Sequence, residues 1–197
     1  MSSTKLKVIL LGDPGVGKTS IINQYIKKIF VQTVATFGSE QYNKTLTINE
    51  QQIELKIWDT PGGFKFYNIT KNSMRNSDIA ILIYDITDKS SFISLKEWYK
   101  KLIEVVEREN MIVGIAANKS DLLKEEAITS EEINDFANEI NVDVFSTSAK
   151  NYNTIEEMFL KLTEKYYDIF LNKISINDIN SSYIIIEKNN KHFFDCC

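Results

Sequence analysis

The sequence predicts an α/β protein whose mostly parallel sheet is covered by helices on both faces. Three observations carry this. Runs dominated by apolar residues, Lys7 to Leu11, Ile79 to Tyr84 and Met111 to Ala117, lack the polar alternation of a half-exposed strand and suit central strands buried on both sides. Between them, apolar residues recur at spacings of three and four, the period of a helix with one buried face. Finally, Gly12-Asp13-Pro14-Gly15-Val16-Gly17-Lys18-Thr19 fits the pattern G-x-x-x-x-G-K-[ST] and joins the first strand to the first helix.

Taken in order, the strand Lys7 to Leu11 and the glycine-rich turn lead into a helix with apolar positions Ile21, Ile22, Tyr25, Ile26 and Ile29. Residues 41 to 48 and 52 to 58 form a hairpin across Asn49-Glu50, with Ile53, Leu55 and Ile57 alternating with Glu54 and Lys56, so one strand pair is antiparallel at the sheet edge. Phe92, Leu95, Trp98, Tyr99, Leu102, Val105 and Val106 mark a long amphipathic helix. Residues 130 to 140 read as a further helix and Val142 to Phe145 as a last strand. Ile155, Met158, Phe159, Leu162, Tyr166 and Ile169 line the final helix. These stripes are core positions rather than ligand contacts.

With 197 residues, 43% of them hydrophobic, the chain has material for one domain with a substantial core. A formal charge of -4 argues against a nucleic-acid binder, which carries a basic face. The two cysteines, Cys196 and Cys197, leave the body free of thiols, which suits a reducing cytosolic compartment. The start lacks the apolar core of a signal peptide, and no apolar run approaches the ~20 residues of a membrane span.

Functional loops in such a sheet gather at the carboxyl ends of the parallel strands, where helix amino termini converge. Anionic oxygens held at Gly12 to Thr19 would meet backbone N–H groups, the positive end of a helix dipole and the Lys18 ammonium, leaving the Thr19 hydroxyl for a magnesium ion. The plain alternative is a strand-to-helix turn that binds nothing. Asp59, at a strand tip in Trp58-Asp59-Thr60-Pro61-Gly62-Gly63, can hold magnesium through water, and Gly62 lets a backbone N–H approach a terminal phosphate. In Asn118-Lys119-Ser120-Asp121, the carboxylate can accept from both N1–H and the exocyclic amine of guanine, whereas adenine mispairs with it. Thr147-Ser148-Ala149-Lys150 would add a backbone N–H at Ala149 for the guanine carbonyl. Thr36, in the loop before the hairpin, is a weak signal by itself.

These motifs, in this order, resemble those of a small GTPase of the Ras superfamily, nearest in flavour to the Rab family. The likeness covers residues 5 to about 172 and includes Trp58-Asp59-Thr60, Ile83-Tyr84-Asp85-Ile86-Thr87, Ser91-Phe92, the Trp98 helix and the terminal cysteine pair. It implies a three-layer fold on a six-stranded, mostly parallel sheet with one antiparallel edge strand. It further implies that Gly15, Val16, Gly17, Lys18, Thr19 and Ser20 wrap the phosphates and that Thr19, Thr36 and Asp59 serve Mg2+. Phe30 would pack on the guanine edge and Gly62 would sense the third phosphate. Asn118, Lys119, Asp121, Ser148, Ala149 and Lys150 would hold the base. Lys18 and Thr36 would also serve hydrolysis of GTP to GDP. The loops around Thr36 and from Asp59 to about Asn76 would be two switches, ordered by GTP and released afterwards. Implied partners are effectors, an exchange factor, a GTPase-activating protein, a prenylation escort and a GDP-dissociation inhibitor.

The chain departs from the family at three places. Gly63 stands where the family has the Gln that orients the attacking water. Intrinsic hydrolysis is therefore expected below the family's rate, on the order of 10⁻⁴ per second, and Gly63→Gln is expected to raise it. Pro14 stiffens the phosphate loop and removes one N–H donor. The stretch from Thr19 to Thr36 is one residue short, so either the loop tightens to bring Thr36 to the metal or the first switch closes incompletely.

Residues 1–172 thus read as the nucleotide-binding domain and 173–197 as a flexible, polar tail with no polybasic patch. The adjacent Cys196 and Cys197 resemble the family's double geranylgeranylation signal; two lipid chains anchor firmly where one is marginal. Ile184 to Ile186 is either an escort contact or a transient strand, and His192 is assigned no chemistry. The expected function is a GTP-dependent switch in vesicle traffic, at the cytoplasmic face of an endomembrane or the plasma membrane. The alternatives are a non-hydrolysing GTP-bound membrane adaptor and an ATP-using phosphate-loop kinase.

Overall fold

The computed structural model describes residues 4–31, 33–106 and 111–171. The tail, with Cys196, Cys197, Ile184 to Ile186 and His192, lies outside the described residues. Six strands form one sheet in the order β2-β3-β1-β4-β5-β6, with β1 at Thr4–Leu11, β2 at Glu40–Ile48, β3 at Gln51–Asp59, β4 at Ile79–Asp85, β5 at Ile112–Asn118 and β6 at Asp143–Ser146. Only the β2–β3 pair is antiparallel, at the sheet edge, as expected. Asn49 and Glu50 close that hairpin with φ of 46° and 64°, the left-handed geometry that matches the twist of the strands it joins.

Alternation along β1 shows why its sequence has no polar phase. Leu6, Val8 and Leu10 enter a core layer with α1 (Lys18–Lys27) and α5 (Tyr152–Tyr166). Ile9 and Leu11 enter the opposite layer with α2 (Tyr67–Met74), α3 (Lys89–Ile103) and α4 (Ser130–Ile140). Each central strand is thus sandwiched, and the three-layer architecture follows. Gly114 marks how closely α5 lies on β5, since a Cβ there would sit 2.8 Å from Leu162 Cδ2.

Several boundaries differ from the sequence reading. Helix α1 stops at Lys27, where Lys28 turns left-handed at φ 56°, so Ile29 is not on the helical stripe and is half exposed. Val105 and Val106 lie beyond α3 yet still pack against its layer, and Ile169 lies in a π turn, Tyr167–Leu171, beyond α5. The start of α4 is fixed by Thr129, whose hydroxyl accepts from Glu132 N while the Glu132 carboxylate accepts from Thr129 N. The one-turn 3₁₀ segment Phe64–Phe66, the 3₁₀ segment Ser120–Glu125, which is kinked at Leu122, and helix α2 had no strong sequence signal; α2 buries only Thr70, Ser73 and Met74.

Candidate functional site

Strand β1 lies at the reversal of strand order, with β3 on one side and β4 to β6 on the other, so loops following β1, β3, β5 and β6 gather at one end of the sheet. Helix α1 begins directly after the glycine-rich turn. Its N-cap, Gly17, offers no side chain to the first N–H groups, whereas α3, α4 and α5 are capped by Asp88, Thr129 and Asn151. Gly17 adopts φ 101°, and a Cβ there would stand 2.4 Å from Asn118 Nδ2.

Lys18 is 5% exposed and donates from Nζ to the carbonyls of Gly12 and Asp13, both at 2.8 Å. Burial pulls its pKa down to about 8, with Asp59 and Asp13 acting the other way. Thr19 Oγ1 donates to Asp59 Oδ2 at 2.7 Å and lies 3.0 Å from Thr36 Oγ1. The shortened loop therefore does bring Thr36 to Thr19. Asp59 is buried, which raises its pKa against the pull of Thr19 and Lys18, and its Oδ1 has no hydrogen-bond partner among the described residues. Two hydroxyls and an orphaned carboxylate oxygen in one place form the hard-oxygen set that suits magnesium.

At the far end of the hollow, Asn118 is fully buried at the tip of β5 and donates from Nδ2 to the Val16 carbonyl at 2.7 Å. Asp121 accepts from Ser148 Oγ at Oδ1 and from Lys150 Nζ at Oδ2, each at 2.6 Å. Lys150 and then Ser148 hold its pKa below the usual carboxylate value. Two donors fill only half of a carboxylate's acceptor capacity, so Asp121 can still face a further pair of N–H groups. Lys119 turns left-handed at φ 65° and pairs with Asp85 Oδ2 at 2.5 Å, a partner that no spacing in the sequence indicated. Phe30 is half exposed, with Lys150 Nζ 5.8 Å from its ring centre.

One cavity of about 710 Å³ joins these ends. Gly15, Gly17, Lys18, Thr19, Ser20, Thr36 and Gly62 line one part; Phe30, Asn118, Lys119, Asp121, Ser148, Ala149 and Lys150 line the other. Asp59 lies instead on an adjoining hollow that shares Thr19 and Thr36. Val16 lines neither: its side chain is in the core and its carbonyl is taken by Asn118, so only its backbone belongs to the loop. Gly63 has φ 86° and ψ 143°, a region that L residues rarely adopt, with Pro14 Cγ 3.4 Å from where its Cβ would stand. A glutamine here carries a backbone cost that the sequence did not reveal.

Strand order and the glycine-rich turn define an α/β protein of the phosphate-loop class. Residues 7–168 match the Ras family. Among curated relatives, Ras-related protein RABF2b of Arabidopsis thaliana is 32% identical over 164 residues, covering 83% of this chain and 82% of the relative. Ras-related protein Rab-31 of Homo sapiens is 38% identical over 160 residues, covering 81% and 82%. Ras-related protein Rab-11B of Dictyostelium discoideum is 35% identical over 178 residues, covering 89% and 80%. The chain belongs to the Ras family and is a Rab-like small GTPase.

Proposed function

We propose that the chain is a GTP/GDP-dependent switch in membrane traffic. The observation that supports it most is the single cavity shared by Lys18 and Asp121, long enough to take phosphates at one end and a purine at the other. At the phosphate end, Lys18 and the uncapped N–H groups of α1 receive the anionic oxygens. At the other end, Asp121 reads the guanine N1–H and amine, Ala149 offers a backbone N–H to the carbonyl, and Phe30 packs on the base edge. Ser148 and Lys150 hold Asp121 in place for that contact.

Thr19, Thr36 and, through water, Asp59 would hold Mg2+, which when bound neutralises charge on the outer phosphates. Thr36 and Gly62 sit in loops that the third phosphate orders, and effectors read that order. Lys18 stabilises charge on the outer phosphates during hydrolysis. Gly63 supplies no amide to orient the attacking water, so the GTP form is long-lived unless an activating partner brings the missing group. Cys196 and Cys197, geranylgeranylated, tether the domain to the cytoplasmic face of a membrane, with an escort and a GDP-dissociation inhibitor handling the lipids. Among the described residues no helix is long and apolar enough to cross a membrane.

The nucleotide that co-purifies with the protein tests this reading. Guanine nucleotide released on denaturation, and displacement by GTP or GDP but not by ATP, is the expected result; comparable ATP binding would refute it. Gly63 favours a second reading, a GTP-bound adaptor that does not hydrolyse. Single-turnover assays separate the two, because an adaptor retains GTP for many hours even with candidate activating proteins.

A further inference from the structure

Trp98 is completely buried in the middle of α3, where an indole needs an acceptor for its N–H. It donates from Nε1 to Asp13 Oδ1 at 2.9 Å, across 85 residues of chain. Asp13 is held from two directions, because its carbonyl also accepts from Lys18 Nζ. Pro14, next in the chain, has no N–H to offer, so the Trp98 contact anchors a stretch of the loop that cannot anchor itself through that backbone donor.

The same indole carries the loop that follows β3. The Phe64 ring stacks on Trp98 with centroids 4.7 Å apart and planes 25° apart. One turn along α3, Lys101 Nζ lies 5.8 Å from the Phe64 ring and 4.4 Å from the Tyr67 ring, so the start of α2 leans on the same helix face. Between these contacts, Gly62 abuts the phosphate loop: a Cβ on it would stand 2.4 Å from Pro14 N and 2.6 Å from the Asp13 carbonyl carbon. A displacement at Gly62 has no free space on the Asp13–Pro14 side. Two residues further on, Phe64 joins this loop to Trp98.

We propose that Trp98 is a positioning residue that couples the loop facing the third phosphate to the Asp13–Lys18 cradle, so that telling GTP from GDP depends on the chain Phe64, Trp98, Asp13. This deepens the guanine-nucleotide reading and rests on it. Drawing Gly62 toward a third phosphate shifts Phe64 on the indole, and the indole N–H sets the Asp13 carboxylate and, through the same residue's carbonyl, Lys18. Two discrete contacts, a ring stack and a hydrogen bond, carry the coupling.

The chain has two tryptophans, so Trp58→Phe leaves Trp98 as the sole indole. In that background, indole emission is recorded with GDP and with a non-hydrolysable GTP analogue. The two spectra are expected to differ, and Phe64→Leu to abolish the difference. In Trp98→Phe and Phe64→Leu, each checked for folding by circular dichroism, the ratio of analogue to GDP affinity falls about fivefold. The double variant falls no further than either single one, the signature of residues acting in series. Identical emission with both nucleotides, or an unchanged affinity ratio in Phe64→Leu, overturns the proposal while leaving the nucleotide reading intact. No guanine-nucleotide binding by the unmodified chain overturns both.

Discussion

The side-chain amide of Asn118 donates to the backbone carbonyl of Val16 at 2.7 Å, tying the tip of β5 to the middle of the phosphate loop across 102 residues. Gly17 leaves room for that amide, and so the two ends of the cavity are built as one piece. Asn118→Ala strips the Val16 carbonyl of its buried partner. The expected cost is about 1–3 kcal/mol of folding stability, read by urea denaturation, together with weaker binding of both GDP and GTP. Unchanged stability would show that the loop holds its shape without β5.

Gly63 separates a side-chain effect from a backbone effect. At φ 86° and ψ 143°, any L residue there strains the chain by about 1–3 kcal/mol. Gly63→Ala and Gly63→Gln are both expected to lower the thermal midpoint, and only the glutamine, which brings an amide, to speed single-turnover GTP hydrolysis. Equal rates in the two variants would show that a side-chain amide at this position does not set the hydrolysis rate.

Asp121 is placed by Ser148 and Lys150, and in the proposed reading its remaining acceptor capacity would select guanine. Asp121→Asn keeps the residue's shape and exchanges acceptors for a donor that suits xanthine's carbonyl. GTP affinity is expected to fall by about a hundredfold or more while xanthosine triphosphate gains affinity, as titration calorimetry would show. Undiminished preference for GTP would mean that another group reads the base.

Glu132 links the cap of α4 to Lys89 at the start of α3, with Nζ–Oε1 at 2.7 Å. The lysine first, and the Thr129 backbone N–H after it, lower its pKa from 4.5 to about 2. A depressed folded-state value means that the ionised form supplies the stability. That stability is complete above about pH 4.5 and is lost as pH falls toward 2. The gap in denaturation midpoint between the unmodified chain and Glu132→Gln is expected to be constant from pH 7 to 5 and to close below that. A gap that persists at pH 2 would assign the effect to packing.

Much of this protein was legible in its residues because local patterns answer to local physics. Val8 to Leu11 has no polar phase because both sides of β1 are covered, and Asn49-Glu50 reads as a turn because two polar residues separate two alternating strands and Asn accepts left-handed backbone. The Thr129–Glu132 cap was equally local and could have been found from its Thr-x-x-Glu spacing. Helix α2 could not: eight residues with only Thr70, Ser73 and Met74 buried leave a stripe too short and too polar to declare a period.

By itself the sequence determined the alternation of strands and helices and the loops that carry the phosphate-loop and base-reading motifs, since each depends on neighbours along the chain. Only the tertiary structure decided that Thr36 reaches Thr19 despite a shorter loop, that Val16 gives its carbonyl to Asn118, that Gly63 sits where side chains are strained, and that Trp98 holds Asp13 and Phe64 together. The reason is distance along the chain. Contacts between residues 17 to 102 positions apart, and a backbone angle imposed by packing, leave no periodic trace, and they exist only once the sheet has brought its strand ends to one side.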